Sequence, residues 1–391
     1  MRLHFLRLSF PGLALLLLFI LTGGTAGAYS GSHSGINPIA FRAIPRHSAP
    51  VHLTVSPLDT SSSGTHYLYV DDGSSPDSID VYKTGATLTH VGNFPTGGAV
   101  NTAYFGATNI AVMTGCLVYG DGNGFVDSYP INSNGSLGTQ VSHIAISGAP
   151  SDIHIKKGTV YVNVPGGEIA SYSINSGCTL ASEHSVATSS YFIVNFGIAD
   201  HVLLAPDLNT STIATYTLGT GGTITALNAV TGQIAGPDSV AVQKSANGTY
   251  HVYTGQATVN APQAQGGKLN TSTGAITFLK GSPATDPSGG DGGSVTFDNT
   301  HHILIQGEQF SGTLANYTVV KGTLSFKSET TMAVSGEQPS DFVQLNAKLF
   351  VSMILNGDVE ACTLTSTGAS GCKTVARLTS TSGVEAGMAL L

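Results

Sequence analysis

Two kinds of residue in this 391-residue chain have types and spacings that could do chemistry. The first is a set of carboxylates. Asp71 and Asp72, Asp121, Asp207 and Glu308 each follow a short apolar run, while Asp238, Asp291, Glu337 and Glu385 each precede another. If the loops that carry them converge, their oxygens repel one another and call for a hard cation, Ca²⁺ being the natural choice for an all-oxygen set. The expected metal ligands are therefore Asp71, Asp72, Asp121, Asp207, Asp291 and Glu308. The competing reading is that these acids shape turns, since Asp71-Asp72-Gly73 and Asp121-Gly122-Asn123-Gly124 are good turn sequences on their own. The second kind is His154, which titrates near neutral pH and sits in an apolar stretch where alternate side chains share a face. It is the candidate general base, against the plainer role of a hydrogen-bonded structural histidine. Other chemistries lack support: there is no Gly-x-Ser-x-Gly elbow, no CxxC pair and no His-x-x-x-His spacing.

The elements that must position these residues come from a repeated phrase. An aliphatic residue, two variable residues and a Tyr recur at Ile79–Tyr82, Val126–Tyr129, Ile169–Tyr172, Ile213–Tyr216 and Leu314–Tyr317, and Val359–Cys362 is a sixth copy ending in Cys. A small turn and a new strand start follow each full copy, which spells a hairpin. Ahead of each lies an apolar run, such as Tyr67–Val70, Leu117–Tyr119 or Leu349–Val351. Leu68 to Phe350 spans 282 residues in six steps, a mean of 47, the period of a propeller blade. Seven runs predict an all-β, seven-bladed β-propeller of four-stranded blades. The inner strands are expected at residues 109–113, 151–155, 192–196, 239–242, 293–297, 340–345 and 386–391. The last of these is expected to complete the first blade and close the ring, which leaves no exposed sheet edge. Val51–Val55 is a rival inner strand for that blade. The fifth unit is irregular, and Gly267–Asn270 is its best third strand.

Composition agrees with this class: 49 Gly, 10% charged residues and no sustained helical period. The net charge of −8 disfavours nucleic acid and anionic membranes as partners. Arg2 and Arg7 ahead of the apolar stretch Leu13–Leu21, with Ala26-Gly27-Ala28 behind it, predict an export signal over residues 1–28. That stretch is too short for a comfortable membrane span. A flexible leader over 29–50 and a propeller over 51–391 complete the expected organisation, with a secreted or extracytoplasmic, soluble product. Four cysteines suit an oxidising compartment. Cys362 and Cys372 flank one turn and are expected to pair. Cys116 and Cys178 either pair across neighbouring blades or remain buried thiols.

The order of inner strand, Tyr-Val strand, aliphatic-x-x-Tyr strand and Thr-Gly-x-Leu turn resembles the lactonase-like propellers, a superfamily of YVTN-repeat proteins, propeller-type 6-phosphogluconolactonases and carboxymuconate cyclases. The resemblance rests on Tyr67–Val70, Ile79–Tyr82 with Thr84-Gly85, and Pro150–Ile153 or Pro339–Phe342. It covers residues 66–391 and implies architecture rather than activity. Arg377 as the single Arg of the repeat region counts against a phosphorylated sugar. The leading expectation is a binding module that takes a small molecule or an extracellular partner at the channel mouth. The alternative is a lactone hydrolase that uses a mouth carboxylate or His154, aided by a bound cation. A structural cell-surface protein, with a featureless mouth, is the third.

Overall fold

A computed structural model describes residues 65–73, 76–99, 109–164, 167–188, 193, 195–256, 262–287, 292–308, 311–334, 338–354, 356–378 and 387–391. The expected signal, leader and Val51–Val55 strand, together with Asp291, Glu337 and Glu385, lie outside these residues.

The second strands set the architecture. Leu68, Val70, Leu117, Val118, Leu203, Leu204, Leu304 and Ile305 are all fully buried. A strand apolar on both faces needs a sheet packed against each of them, and a ring of sheets standing side by side supplies that. Seven antiparallel sheets result, with inner, second, third and outer strands in chain order in every blade but the first. Blade 2, for example, runs through Ile110–Met113, Cys116–Asp121, Phe125–Pro130 and Ser142–Ala145. Blade 1 takes its second to outer strands from Tyr67–Asp71, Ser78–Lys83 and Thr89–Pro95. Its inner strand is Met388–Leu390 from the other end of the chain, registered Leu68 to Leu390, Tyr69 to Ala389 and Val70 to Met388. The same strand packs against the inner strands Ile110–Met113 and Pro339–Leu345 of blades 2 and 7, which closes the ring as expected.

The aliphatic-x-x-Tyr phrase is the third strand. Its aliphatic residue and its Tyr are buried, as at Ile79 and Tyr82 or Ile213 and Tyr216. The register against the outer strand slips just before the Tyr at Val81/Tyr82, Ser171/Tyr172, Thr215/Tyr216 and Asn316/Tyr317. A bulge at the same place in several blades adds twist toward the rim, where the gap between radiating sheets widens. The residue before that Tyr also ties blades together. Ser128 donates to the Cys178 carbonyl at 2.7 Å, Ser171 to that of Gly222 at 2.8 Å, and Asn316 Oδ1 accepts from Ala369 N at 2.9 Å.

Two expectations shift. The inner strand of blade 4 is Gly197–Ala199 rather than residues 192–196. Phe196 is instead fully buried at the strand's entry, and a Cβ at Gly197 would lie 2.6 Å from Val240 Cγ1, so only glycine lets the blade 5 strand come this close. The third strand of blade 5 is Gln263–Leu269, longer than Gly267–Asn270, and Ala284–Thr285 pairs with its start. Both cysteine pairs form disulfides: Cys362–Cys372 across the outer hairpin of blade 7, and Cys116–Cys178 between blades 2 and 3. Among the described residues, no helix is long and apolar enough to cross a membrane.

Candidate functional site

Asp71, Asp121, Asp207 and Glu308 occupy one structural position, the last residue of a second strand. At each, the carboxylate turns back on its own loop. Asp71 Oδ1 accepts Gly73 N at 3.0 Å, and Asp121 Oδ1 accepts the amides of Asn123 at 2.8 Å and Phe125 at 3.2 Å. Asp207 accepts Asn209 N at 2.9 Å and Thr210 N at 3.3 Å, and Glu308 Oε2 accepts the hydroxyls of Ser311 at 3.1 Å and Thr313 at 2.5 Å. These are side chains holding turns, as short acids do.

The structure brings only some of the expected metal ligands together. Asp71 and Asp72 meet Asp77 in blade 1, and Glu308 meets Asp286 and Glu329 between blades 5 and 6. Asp121 and Asp207 join neither group. Either trio offers oxygens within 4.8 Å of one another, the raw geometry for a hard cation. The blade 1 trio is already rich in donors: Asn109 Nδ2 reaches Asp71 Oδ2 at 2.7 Å, the Tyr119 hydroxyl bonds Asp77, and Ser78 and Asn93 bond Asp72 at 2.5 and 2.9 Å. Burial, then the neighbouring acids, pushes Asp77 well above the carboxylate range. In the second trio burial leads, followed by the charge of Asp286, and Glu308 is pushed up to about 8.

His154 lies on the inner strand Asp152–Lys156 of blade 3. Its Nε2 meets Asp152 Oδ2 at 3.1 Å, and its ring packs on Phe196 with centroids 4.7 Å apart. Asp152 is fully buried and also accepts Phe196 N at 2.6 Å, so its position is locked by two blades. Burial opposes the charge on His154, but the Asp152 carboxylate, Asp341 and the Phe196 carbonyl outweigh it and raise the imidazole pKa above its ordinary value. Among the described residues four other histidines also meet an Asp: His90 with Asp80, His143 with Asp127, His201 with Asp200 and His301 with Asp298. What sets His154 apart is its place in the wall of a cavity of about 360 Å³ between inner strands, shared with Ile155, Lys156, Gly197, Ile198, Val240 and Val242. A second cavity, of about 510 Å³, uses Ile198 and Val242 again and adds Gln243, Lys244, Ser245, Ala246, Asn299 and His302.

Lys156 escaped the sequence reading, although it stands two residues beyond His154 on the same strand, a spacing that puts both on one face. Burial lowers its pKa against the pull of Asp200. Asp77, Asp286 and Glu329 were equally missed, because their meetings depend on loop paths and blade contacts that no local spacing encodes.

No protein-family model matches the chain, and no curated protein does. Solved structures share its fold. A putative 6-phosphogluconolactonase from Bacteroides fragilis superposes with a TM-score of 0.66 at 12% identity, over 85% of this chain and 99% of that one. The periplasmic gluconolactonase of Pseudomonas aeruginosa gives 0.62 at 15% identity, over 81% and 97%. A Lactobacillus plantarum protein gives 0.62 at 17% identity, over 83% and 98%. The chain thus has the seven-bladed fold of the lactonase-like propellers, and identities this low speak for fold alone.

Proposed function

We propose that the chain is an exported propeller that binds a small molecule in the cavity beside His154. The observation that carries this reading is His154, held by the buried Asp152, in the wall of a hollow of about 360 Å³ that it shares with Lys156, Gly197, Ile198, Val240 and Val242, a size suited to a small ligand. Asp152, Asp341 and the Phe196 carbonyl all favour the charged ring. A ring whose charged form its neighbours favour is an anchor for a ligand oxygen more readily than a base for water. Export is supported by the predicted signal and by the two disulfides, which persist in oxidising compartments.

Hydrolysis of a lactone is the second reading, favoured by the fold shared with a gluconolactonase and by the oriented imidazole. Here neutral His154 takes a proton from water as the oxygen attacks the ring carbonyl, and the Lys156 ammonium faces the oxyanion that develops. The ring C–O bond then breaks, the leaving alkoxide takes the proton back, and a hydroxy acid results.

Proton release from sugar and aliphatic lactones, with wild type and with His154→Gln, separates the two readings. The binding reading expects no turnover above background, together with ligand affinity that falls at least tenfold in His154→Gln. Turnover lost in His154→Gln would displace it. In that case the rate must rise with pH through a midpoint above the ordinary histidine value of about 6.5, because only the neutral ring accepts a proton. Asp152→Asn then moves that midpoint down.

A further inference from the structure

We propose that Asp286, Glu308 and Glu329 form a Ca²⁺ site on the seam between blades 5 and 6, apart from the hollow beside His154. Of the metal ligands expected from the sequence, Glu308 alone belongs to it. The irregular fifth unit delivers Asp286. Its outer strand Ile276–Phe278 is short, and the chain then leans onto blade 6, where Leu324 N donates to Lys280 O at 2.9 Å and a Cβ at Gly281 would run into the Leu324 carbonyl. It returns as Ala284–Thr285, which pairs with the start of Gln263–Leu269 in blade 5 and packs against the outer strand Thr323–Thr331 of blade 6. Asp286 follows directly, its amide fixed on the Pro262 carbonyl at 2.9 Å. That path sets its carboxylate against Glu308, the last residue of the second strand Ile303–Glu308, and against Glu329 on the outer strand.

More than the meeting of three acids points to a cation. Glu308 is fully buried, and its Oε2 takes the hydroxyls of Ser311 and Thr313, while Oε1 is shielded from water and receives no hydrogen bond. A buried carboxylate oxygen left in that state is costly unless a positive charge meets it. No side chain supplies one: among the described residues, neither Glu308 nor Glu329 pairs with a Lys, Arg or His. A proton shared by Asp286 and Glu308 relieves two carboxylates, but three converge here. Oxygens within 4.8 Å of one another match ligands held about 2.3–2.6 Å from a single Ca²⁺. Two of the acids are buried and Glu329 is exposed, which leaves an open side for entry and for water ligands. Ca²⁺ accepts such an uneven shell, whereas Mg²⁺ demands a near-ideal octahedron at about 2.0–2.1 Å. Tyr317 marks the same place: its phenol is fully buried, and after burial itself the charges of Asp286, Glu308 and Glu329 hold its proton on.

The test is calorimetric titration of the metal-stripped, full-length mature protein with CaCl₂ and with MgCl₂ at pH 8 in about 0.15 M NaCl, repeated on Glu308→Gln, Glu329→Gln and Asp72→Asn. Melting curves establish that each variant is folded, and Glu329→Gln, at an exposed position, keeps the test open if Glu308→Gln is not. The expected result is one Ca²⁺ per chain, with a Kd of about 10⁻⁴–10⁻³ M as in other extracellular modules and at least tenfold preference over Mg²⁺. Glu308→Gln and Glu329→Gln each weaken it at least tenfold, and Asp72→Asn, in the blade 1 trio, leaves it unchanged. Because the chain has no Trp, Tb³⁺ bound at this site is excited through tyrosine, and that emission is expected to fall in Tyr317→Phe and on adding Ca²⁺. Absence of Ca²⁺ binding overturns the proposal and leaves the shared proton in its place. Binding indifferent to Glu308→Gln and Glu329→Gln, or lost in Asp72→Asn instead, overturns it too, as does Tb³⁺ emission unchanged in Tyr317→Phe. Mg²⁺ binding as tight as Ca²⁺ overturns the choice of ion.

Discussion

At the scale of single residues, the molecule spends most of its carboxylates on itself. Asp71, Asp121, Asp207 and Glu308 end equivalent strands and bond the turn that follows, so the turn reading and the cation reading of the same residues make different demands. Glu308 is the most informative of them. It is fully buried beside Asp286, and burial with that neighbour's charge pushes its pKa up to about 8. An unfolded Glu titrates near 4.3, so its proton is released in the unfolded chain first, and the fold loses stability as pH rises between the two values. Glu308→Gln removes this drain. Its melting temperature is expected to match wild type near pH 4 and to exceed it increasingly up to about pH 8, levelling off beyond. A difference that stays constant with pH would falsify this account. Repeating the curves with Ca²⁺ shows whether a cation relieves the same repulsion, in which case the wild type gains melting temperature at pH 8 and the variant does not.

At the scale of elements, the outer hairpins matter because they reach into neighbouring blades. The third-strand residue before the Tyr bonds the next blade's outer turn at Ser128, Ser171 and Asn316, and Cys116–Cys178 makes one such meeting covalent. The two disulfides close chain segments of very different length, with separations of 62 and 10 residues. On loop-closure entropy alone these are worth about 4 and about 3 kcal/mol. Replacing Cys116 and Cys178 by Ala is therefore expected to lower the denaturant midpoint more than replacing Cys362 and Cys372, measured on separately purified double variants. An equal or inverted order would mean that packing around the cystines, not chain closure, sets their worth. Elements also explain where local reading slipped. Residues 192–196 contain Phe192, Ile193, Val194 and Phe196 and look like a strand, yet pairing begins at Gly197, where the close approach of Val240 excludes a side chain.

At the scale of the whole molecule, the ring is held shut by three residues from one end of the chain. Met388–Leu390 pairs with Tyr67–Asp71 and packs against the inner strands of blades 2 and 7. Deleting residues 387–391 strips blade 1 of its inner strand and exposes an unpaired edge beside the channel. The truncated protein is expected to melt at markedly lower temperature and to bind a hydrophobic dye, and restoring the segment as a separate peptide should recover part of the loss. The repeat phrase, the period near 47 residues and the apolar second strands made the fold class, the blade count and this closure legible in the sequence. Each is a periodic or local property, written by residues that must be buried wherever the neighbouring sheets lie. The pairing of Cys362 with Cys372 was legible for the same reason, since one turn separates them. The candidate site was not, beyond the place of His154 on an inner strand. That Asp71 meets Asp77, that Glu308 meets Asp286 and Glu329, that Cys116 meets Cys178 and that Lys156 shares a hollow with Val240 were decided by tertiary structure alone. Such meetings depend on how far each blade is turned against the next and on the path each loop takes, and residues distant in the chain carry no spacing that records it.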